Sequence, residues 1–214
     1  MGRNTSKKRI ERKSVLIALE DTKSSKYYFQ ELIKDKNLSG EVIFAKHIGT
    51  DPLSVVDAIV RHKLQNPKVQ YQREWAVFDR DSWTRAQVNG AISRAQSLAI
   101  CVAISNEAYE LWILLHFERL AAPTNRINLT RKLNEHFKER FGVEYSKSSQ
   151  DVYRYVIGMQ KTAIENAQYL VNHHISIDGR LNPERQNPLT LVHELVQCLN
   201  SLYSDTVNCE CFPI

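Results

Sequence analysis

The most restrictive feature of this sequence is the alternation of strand and helix patterns between residues 14 and 118. Short apolar, β-branched runs typical of buried strands occur four times, at residues 14–19, 41–47, 73–78 and 99–104. Helical patterns separate these runs, and strands joined by helices pair in parallel through right-handed crossovers. The alternation therefore predicts an α/β fold with a parallel β-sheet flanked by helices.

The character of the chain changes after a break at Pro123. Helical patterns follow without a convincing strand, at residues 129–141, 148–158, 160–174 and 188–203. We therefore divide the chain into three parts: a basic N-terminal arm (1–13), an α/β domain (14–120) and a helical extension packed on that domain (121–214).

The net charge of +5 belongs to the arm, because residues 1–13 hold six of the 29 basic residues but only one of the 24 acids. The remainder is neutral, which argues against a protein that is basic throughout. The arm could bind nucleic-acid phosphates or be a solvated tail; its candidate contacts are Lys7, Lys8, Arg9, Arg12 and Lys13. Basic residues of the extension, Arg126 and Lys147 among them, could line a substrate face or a solvated helix surface.

The sequence favours a cytoplasmic protein with no membrane partner. No run approaches the roughly 20 apolar residues of a membrane span, and the N-terminus lacks a secretory signal pattern. The four cysteines do not resemble a disulfide framework and fit a reducing compartment. Cys209 and Cys211 could supply half of a zinc site, but without a matching pair a frayed tail is the favoured interpretation.

Acidic residues follow two of the predicted strands. Glu20 comes directly after the first strand, and Asp79 and Asp81 come after the third. The ends of parallel strands share one rim, and alternation would point both aspartates to the same side if the chain stays extended. Carboxylates converging there would repel one another without a cation, and such ligands suit Mg²⁺ or Mn²⁺. The alternative is that Asp81 caps the third helix.

A second acidic cluster follows the fourth predicted strand. Asn106 is suited to cap the next helix, and Glu107 and Glu110 would lie on one face of it. That helix is apolar nearly all round through residue 118, so Glu110 would need a partner or an ion. The alternative is that these acids interact favourably with the helix dipole. His116 is better interpreted as a core histidine than as a catalytic base.

At these residues the sequence resembles the RloB-like family, bacterial proteins often associated with abortive infection and other anti-phage loci. The resemblance spans roughly residues 10–200. Its most specific blocks are FDRD at 78–81 and the run from SN at 105–106 through ELW at 110–112 to LLHF at 114–117. The opening at 15–20 with Lys23 and the later NP at 187–188 agree in order.

This resemblance implies a Toprim-like core that binds Mg²⁺ for phosphoryl transfer. Glu20 would be the general base or a metal-shaping acid, and Asp79 and Asp81 the metal ligands. Glu110 is a family position near the site. Lys23 would contact a phosphate or the transition state, and Arg80 would contact nucleic acid. The family's first loop usually reads E-G-x-x-T-E, whereas Asp21 replaces the glycine and Ser25 the second acid here.

Two functions remain open. The first is an Mg²⁺- or Mn²⁺-dependent nuclease that cleaves RNA or DNA as an effector of anti-phage defence. The chain has no phosphate loop of the G-x-x-x-x-G-K type, so any ATPase would be a separate partner. The second, favoured by the altered first loop, is a non-catalytic sensor or adaptor that binds nucleic acid or protein. A homo-oligomer is a further expectation.

Overall fold

The computed structural model describes residues 14–120 and 122–203 together with Cys209, Cys211, Pro213 and Ile214. The candidate nucleic-acid contacts of the arm lie outside the described residues: Lys7, Lys8, Arg9, Arg12 and Lys13. Within the described part of the chain, no helix is both long and apolar enough to cross a membrane.

The first half alternates strands and helices as predicted. Its elements are β1 (Val15–Leu19), α1 (Ser24–Asp35), β2 (Val42–Phe44), α2 (Pro52–Gln65), β3 (Arg73–Asp79), α3 (Arg85–Ser97), β4 (Cys101–Asn106) and α4 (Glu110–Leu114). Local chemistry explains several boundaries. For example, α2 begins with Pro52, and the carboxylate of Asp51 accepts a 3.0 Å hydrogen bond from the backbone N–H of Ser54.

Among its described residues, the second half is helical apart from one short strand. It contains α5 (Arg126–Phe141), α6 (Val152–Val156) with a 3₁₀ turn (Ile157–Met159), α7 (Gln160–Asp178), β5 (Leu189–Thr190) and α8 (Val192–Ser201). The expectation of no strand after residue 121 was therefore wrong. A strand of two residues is too short to show the period-two pattern by which strands are recognised.

The strands form one sheet in the order β2-β1-β3-β4-β5 among the described residues. The pairings β1–β2, β1–β3 and β3–β4 are parallel, whereas β5 runs antiparallel to β4 with Thr190 opposite Ser105. The predicted α/β class with a mostly parallel sheet is confirmed, and it is consistent with a Toprim-like arrangement. The partner of β4 at this edge comes from the helical extension.

Both faces of the sheet are covered. Alternate residues of the strands, such as Leu16, Ala76 and Phe78, lie on one face of the sheet and pack against α2 and α3. The intervening residues, such as Ile17 and Trp75, pack against α1 and the helices of the extension. This alternation is what a strand pattern of period two requires of a sheet buried on both sides.

One apolar cluster runs without interruption from the α/β domain into the extension. Tyr28 of α1 has its ring centroid 5.2 Å from that of Tyr153 in α6, and 6.1 Å from that of Trp112 in α4. The same cluster includes Leu133 of α5 and Leu195 of α8. The packing core thus continues across residue 120, while the division into 14–120 and 121–214 stays a prediction.

The four cysteines form two disulfide bonds, Cys101–Cys211 and Cys198–Cys209. Both earlier expectations, cysteines unsuited to a disulfide framework and a frayed or half-zinc tail, were therefore wrong for these side chains. The first bond joins residues 110 positions apart. Sequence spacing cannot show that the C-terminal segment returns to the start of β4, so this pairing could not be predicted.

Candidate active site

Glu20 connects the ends of two neighbouring strands. It directly follows β1, and one carboxylate oxygen accepts a 2.6 Å hydrogen bond from the backbone N–H of Asp79, the last residue of β3. The other oxygen accepts a 3.3 Å hydrogen bond from Nε1 of Trp83. The parallel pairing of β1 with β3 places both acids at the same rim, as the sequence predicts.

The chain does not stay extended from Asp79 to Asp81. Asp81 has a positive φ of 34°, and its backbone N–H donates to the carbonyl of Glu107 at 2.9 Å. The extended D-x-D geometry expected from alternation was therefore wrong, because hydrogen bonds to the segment after β4 turn the chain. The alternative role for Asp81 as a helix cap was also wrong, since Thr84 caps α3 and pairs with Gln87.

Arg126 brings the two aspartates together despite this turn. Its Nη2 lies 2.9 Å from Oδ2 of Asp81 and 3.8 Å from Oδ2 of Asp79. Arg126 is the first residue of α5, and Asn125 caps that helix by accepting a 2.9 Å hydrogen bond from the N–H of Asn128. The start of the helical extension thus supplies a cation to the acids of the α/β domain.

Glu110 is completely buried and is paired with a second cation from the extension. Lys147, in the loop between α5 and α6, places Nζ 2.6 Å from Oε1 of Glu110. Within the part of the chain that is described, Oε2 of Glu110 has no hydrogen-bond partner. Burying a charged carboxylate costs free energy, and a partner or an ion must offset that cost. The expectation that Glu110 needs a partner or an ion is thus met in part by Lys147.

The neighbouring predictions for the second cluster were wrong in detail. α4 begins only at Glu110 and ends at Leu114, so Glu107 does not share a helix face with Glu110. Asn106 caps no helix; its side-chain amide instead donates a 2.9 Å hydrogen bond to the carbonyl of Pro183. The reason is that β4 continues through Asn106, two residues further than the apolar pattern indicates.

These groups open onto a cavity of about 330 Å³ at the C-terminal ends of β1 and β3. Its walls hold four acids, three lysine or arginine side chains and several other polar groups: Glu20, Asp21, Thr22, Lys23, Ser24, His47, Thr50, Asp79, Tyr109, Glu110, Arg126 and Lys147. The cavity is therefore lined by opposite charges from different parts of the chain. This composition suits a phosphate ester with a divalent cation better than an apolar ligand.

Burial makes the charged forms of two of these acids unfavourable. Loss of solvent raises the pKa of Glu20 above its usual range, although hydrogen bonds from Asp79 and Trp83 oppose the rise. For Asp79 burial is again the main cause, and the charges of Glu20 and Glu110 raise its pKa further, well above the usual value of 3.8. Raised pKa values in a cleft are typical of functional acids.

The carboxylates fit Mg²⁺ by their chemistry but do not form a ready three-ligand cage. Within the described residues, no group of three or more His, Cys, Asp and Glu side chains is placed to hold a metal ion. Mg²⁺ is usually bound by one or two carboxylates, with waters and substrate phosphates completing its shell. Asp79 and Asp81, whose Oδ2 atoms lie 3.8 Å and 2.9 Å from the same nitrogen of Arg126, are suited to that mode. A site built from Glu20, Asp79 and Asp81 stays a prediction.

The remaining candidates occupy different positions. Lys23 lines the cavity, and its backbone N–H donates a 2.7 Å hydrogen bond to Oδ1 of Asp21. The other carboxylate oxygen of Asp21, Oδ2, accepts a hydrogen bond from the N–H of Ser25. The substituted first loop is thus held by Asp21. Arg80 donates a 2.6 Å hydrogen bond from its guanidinium to the carbonyl of Asp81 and supports the turn. Its contact with nucleic acid stays a prediction.

His116 lies in the core, as the sequence analysis favoured. It is 1% exposed, and Nδ1 lies 3.0 Å from the carbonyl of Trp112, within donating distance. Burial lowers the pKa of His116 from 6.5 to about 4, so the ring is neutral near pH 7. The side chain therefore packs against Tyr28 and Trp112 instead of serving as a base.

A larger cavity, of about 670 Å³, lies between α3 and the loop after α7. Its acid, Glu184, is paired with Arg185 at 3.1 Å, and amides and apolar side chains line much of the remainder. Its described lining residues contain no cluster of carboxylates. Size alone favours this cavity, whereas the chemistry favours the smaller one at the strand ends.

The sequence analysis assigned no specific position to Arg126 or Lys147. Arg126 appeared only among the basic residues of the extension, whereas Lys147 also fits the pattern of the RloB-like family without a role being assigned to it. His47 was not considered; its Nε2 lies 3.1 Å from the carbonyl oxygen of Glu20. The available signal was that Asn125 is suited to cap a helix, which would present Arg126 at its first turn. No local pattern, however, indicates where that helix packs.

Comparison with known proteins gives one match. The family model described as RloB-like protein matches residues 15–199, which is most of the chain. A search of curated proteins and a search of solved structures both returned no match.

Proposed function

The chain belongs to the RloB-like family, and we propose that it is a divalent-metal-dependent nuclease that hydrolyses phosphodiester bonds of RNA or DNA. The observation that carries this proposal is the convergence of Glu20, Asp79 and Glu110 on one cavity beside Arg126 and Lys147. Acids and cations in one cleft can neutralise both a metal ion and a phosphate. We further propose that the protein is an effector of anti-phage defence.

The acids divide into two roles in this proposal. Asp79 and Asp81 would hold Mg²⁺ or Mn²⁺, with Glu20 next to them. The ion, when bound, would polarise the phosphodiester and lower the pKa of an attacking water. Glu20 is suited to accept a proton because burial raises its pKa above the usual range of a carboxylate. Its hydrogen bond from the Asp79 N–H fixes the orientation of the carboxylate.

The cations would bind the substrate. Lys23, Arg126 and Lys147 all line the cavity, and guanidinium and ammonium groups bind phosphate oxygens. They would position the scissile phosphate and stabilise the negative charge that develops on it. Arg80 and the arm residues would contact the nucleic-acid backbone further from the cleft.

Partners and location follow from this chemistry. Nucleic acid is the proposed substrate, an ATPase would be a separate protein, and a second copy of the chain is a further proposed partner. We place the protein in the cytoplasm, where its substrates lie. Disulfide bonds are uncommon in that compartment, so the thiol state of Cys101 and Cys198 in fresh cell extracts tests this placement.

A second function is favoured by a specific observation. Arg126 already pairs with Asp79 and Asp81, and both oxygens of Glu20 already accept hydrogen bonds. A non-catalytic sensor or adaptor that binds an anion through Lys23 and Lys147 would need no metal. In that case substitution of Asp79 would leave nucleic-acid binding intact.

The test is cleavage by purified full-length protein of labelled single- and double-stranded RNA and DNA, with Mg²⁺ or Mn²⁺ and with EDTA. We expect metal-dependent cleavage that falls at least 100-fold in Asp79→Asn and in Glu20→Gln. The matched control is Asp57→Asn, an acid of α2 with only a 3.8 Å surface contact to Arg94. Equal cleavage by Asp79→Asn and the parent, or no cleavage with and without the genomic neighbour, would overturn the proposal in favour of the adaptor.

A further inference from the structure

Arg126 contacts both aspartates that the proposed function assigns to the metal. One guanidinium nitrogen serves both contacts, at 2.9 Å from Asp81 and 3.8 Å from Asp79. A single positive group in contact with both carboxylates neutralises the charge that a divalent ion would otherwise neutralise. The two cations therefore cannot both have full access to these oxygens.

The electrostatics of Arg126 are those of a tethered counter-ion. Burial opposes its charge, but Asp81, Asp79 and Glu110 overcome this effect and raise the pKa of the guanidinium. Arg126 thus stabilises the charged forms of the acids, as a bound metal ion would. A bound Mn²⁺ carries twice the charge and can replace Arg126 at the oxygens.

The local geometry allows Arg126 to leave. Its side chain is 40% exposed, compared with 17% for Asp79 and 27% for Asp81, so solvent can receive the guanidinium. It is the first residue of α5, where Asn125 already caps the helix, so rotation of the side chain breaks no helical hydrogen bond. Its Nε is buried without a hydrogen-bond partner among the described residues, so the pair is incompletely satisfied.

We propose that Arg126 competes with the divalent cation for Asp79 and Asp81, so that metal binding displaces the guanidinium toward the cavity. This inference rests on the proposed function, because it takes Asp79 and Asp81 as metal ligands. Arg126 would keep the acids paired until the ion arrives, and the released guanidinium would be available to a substrate phosphate. It is therefore a positioning residue that sets metal affinity.

A second cation that the extension supplies to the cavity provides an internal comparison. Lys147 lies 2.6 Å from Glu110 and makes no ion pair with Asp79 or Asp81 within the described residues. Removing its charge changes the overall field of the cavity without freeing the two aspartates. Arg131, further along α5, pairs with the exposed Glu135 and controls for the loss of an arginine from this helix.

The test is Mn²⁺ binding to full-length protein, measured by the electron paramagnetic resonance signal of free Mn²⁺ and by calorimetry. We expect Arg126→Gln to bind Mn²⁺ about tenfold more tightly than the parent. Arg126→Lys, which keeps the charge but loses the planar fork, should be intermediate. The affinity for Mn²⁺ should rise less in Lys147→Gln than in Arg126→Gln. In Arg131→Gln it should equal that of the parent.

The other outcomes separate the two proposals. Equal or weaker binding in Arg126→Gln, with parent binding that requires Asp79, overturns the competition and leaves the metal site standing. Equal increases in Mn²⁺ affinity in Arg126→Gln and Lys147→Gln also overturn the competition, because the net charge of the cavity would then be the cause. Failure of both parent and Arg126→Gln to bind Mn²⁺ through Asp79 overturns the competition and the proposed function together. Arg126→Lys keeps the test valid if Arg126→Gln fails to fold, which circular dichroism would show.

Discussion

Among the described residues that line the cavity, every acid comes from the α/β domain, whereas two of the three lysine and arginine side chains come from the helical extension. The domain supplies the acids Glu20, Asp79 and Glu110, whereas the extension supplies Arg126 and Lys147. Away from the cavity the two regions meet through aromatic and aliphatic side chains. The difference shows that the extension lines the cavity and does not only cover the sheet.

The largest expected effect is on the shared apolar core. Tyr28→Ala removes the ring that contacts both Trp112 and Tyr153, and should lower the free energy of unfolding by about 3–5 kcal/mol. In urea, circular dichroism and tryptophan fluorescence should still report one common transition. Tyr203→Ala, an exposed aromatic control, should change stability by less than about 0.5 kcal/mol. Two separate transitions in the parent would show that the regions fold independently.

The next effect concerns the covalent link between the regions. The Cys101–Cys211 bond closes a loop of 110 residues, so Cys211→Ser should lower the free energy of unfolding by about 2–4 kcal/mol in non-reducing buffer. With excess dithiothreitol the parent and the variant should unfold at the same urea concentration. Equal urea midpoints for the parent and Cys211→Ser in non-reducing buffer would mean that the Cys101–Cys211 bond does not form in solution.

The buried core of the α/β domain should also make the stability of the protein sensitive to acid. His116, packed against Tyr28, has its pKa lowered from 6.5 to about 4 in the folded state. The unfolded chain therefore binds the proton first, so this stability is present above pH 6.5 and is lost as the pH falls toward 4. The loss amounts to about 3 kcal/mol. His116→Gln should flatten the dependence of urea midpoint on pH in this window, and an unchanged slope would contradict the burial of a neutral ring.

The smallest effect is expected at the ion pair that joins the regions in the cavity. Lys147→Met leaves the buried Glu110 uncompensated and should cost about 1–2 kcal/mol, since the lysine itself is nearly half exposed. Adding Glu110→Gln should recover part of that loss. Lys138→Met, which breaks a fully solvated pair with Glu144, should have almost no effect. A double variant as unstable as Lys147→Met alone would show that the pairing does not matter.

The α/β domain was predictable because its signals are local. Apolar runs mark β1 and β3, and their parallel pairing brings Glu20 to Asp79. The details that failed depend on contacts distant in sequence. The turn at Asp81 is set by Glu107, and β5 exists because Thr190 meets Ser105. Arg126 and Lys147 are ordinary surface-type residues in sequence, and only packing of the extension directs them to the acids.

The most direct test of the central claim, that the acids of the domain form a metal centre completed by cations of the extension, is anomalous diffraction from crystals soaked in MnCl₂. We predict a manganese peak bound by Asp79 together with Asp81 or Glu20, with Arg126 moved away from both aspartates. A map with no peak at these carboxylates, and with Arg126 still 2.9 Å from Asp81, would contradict the claim.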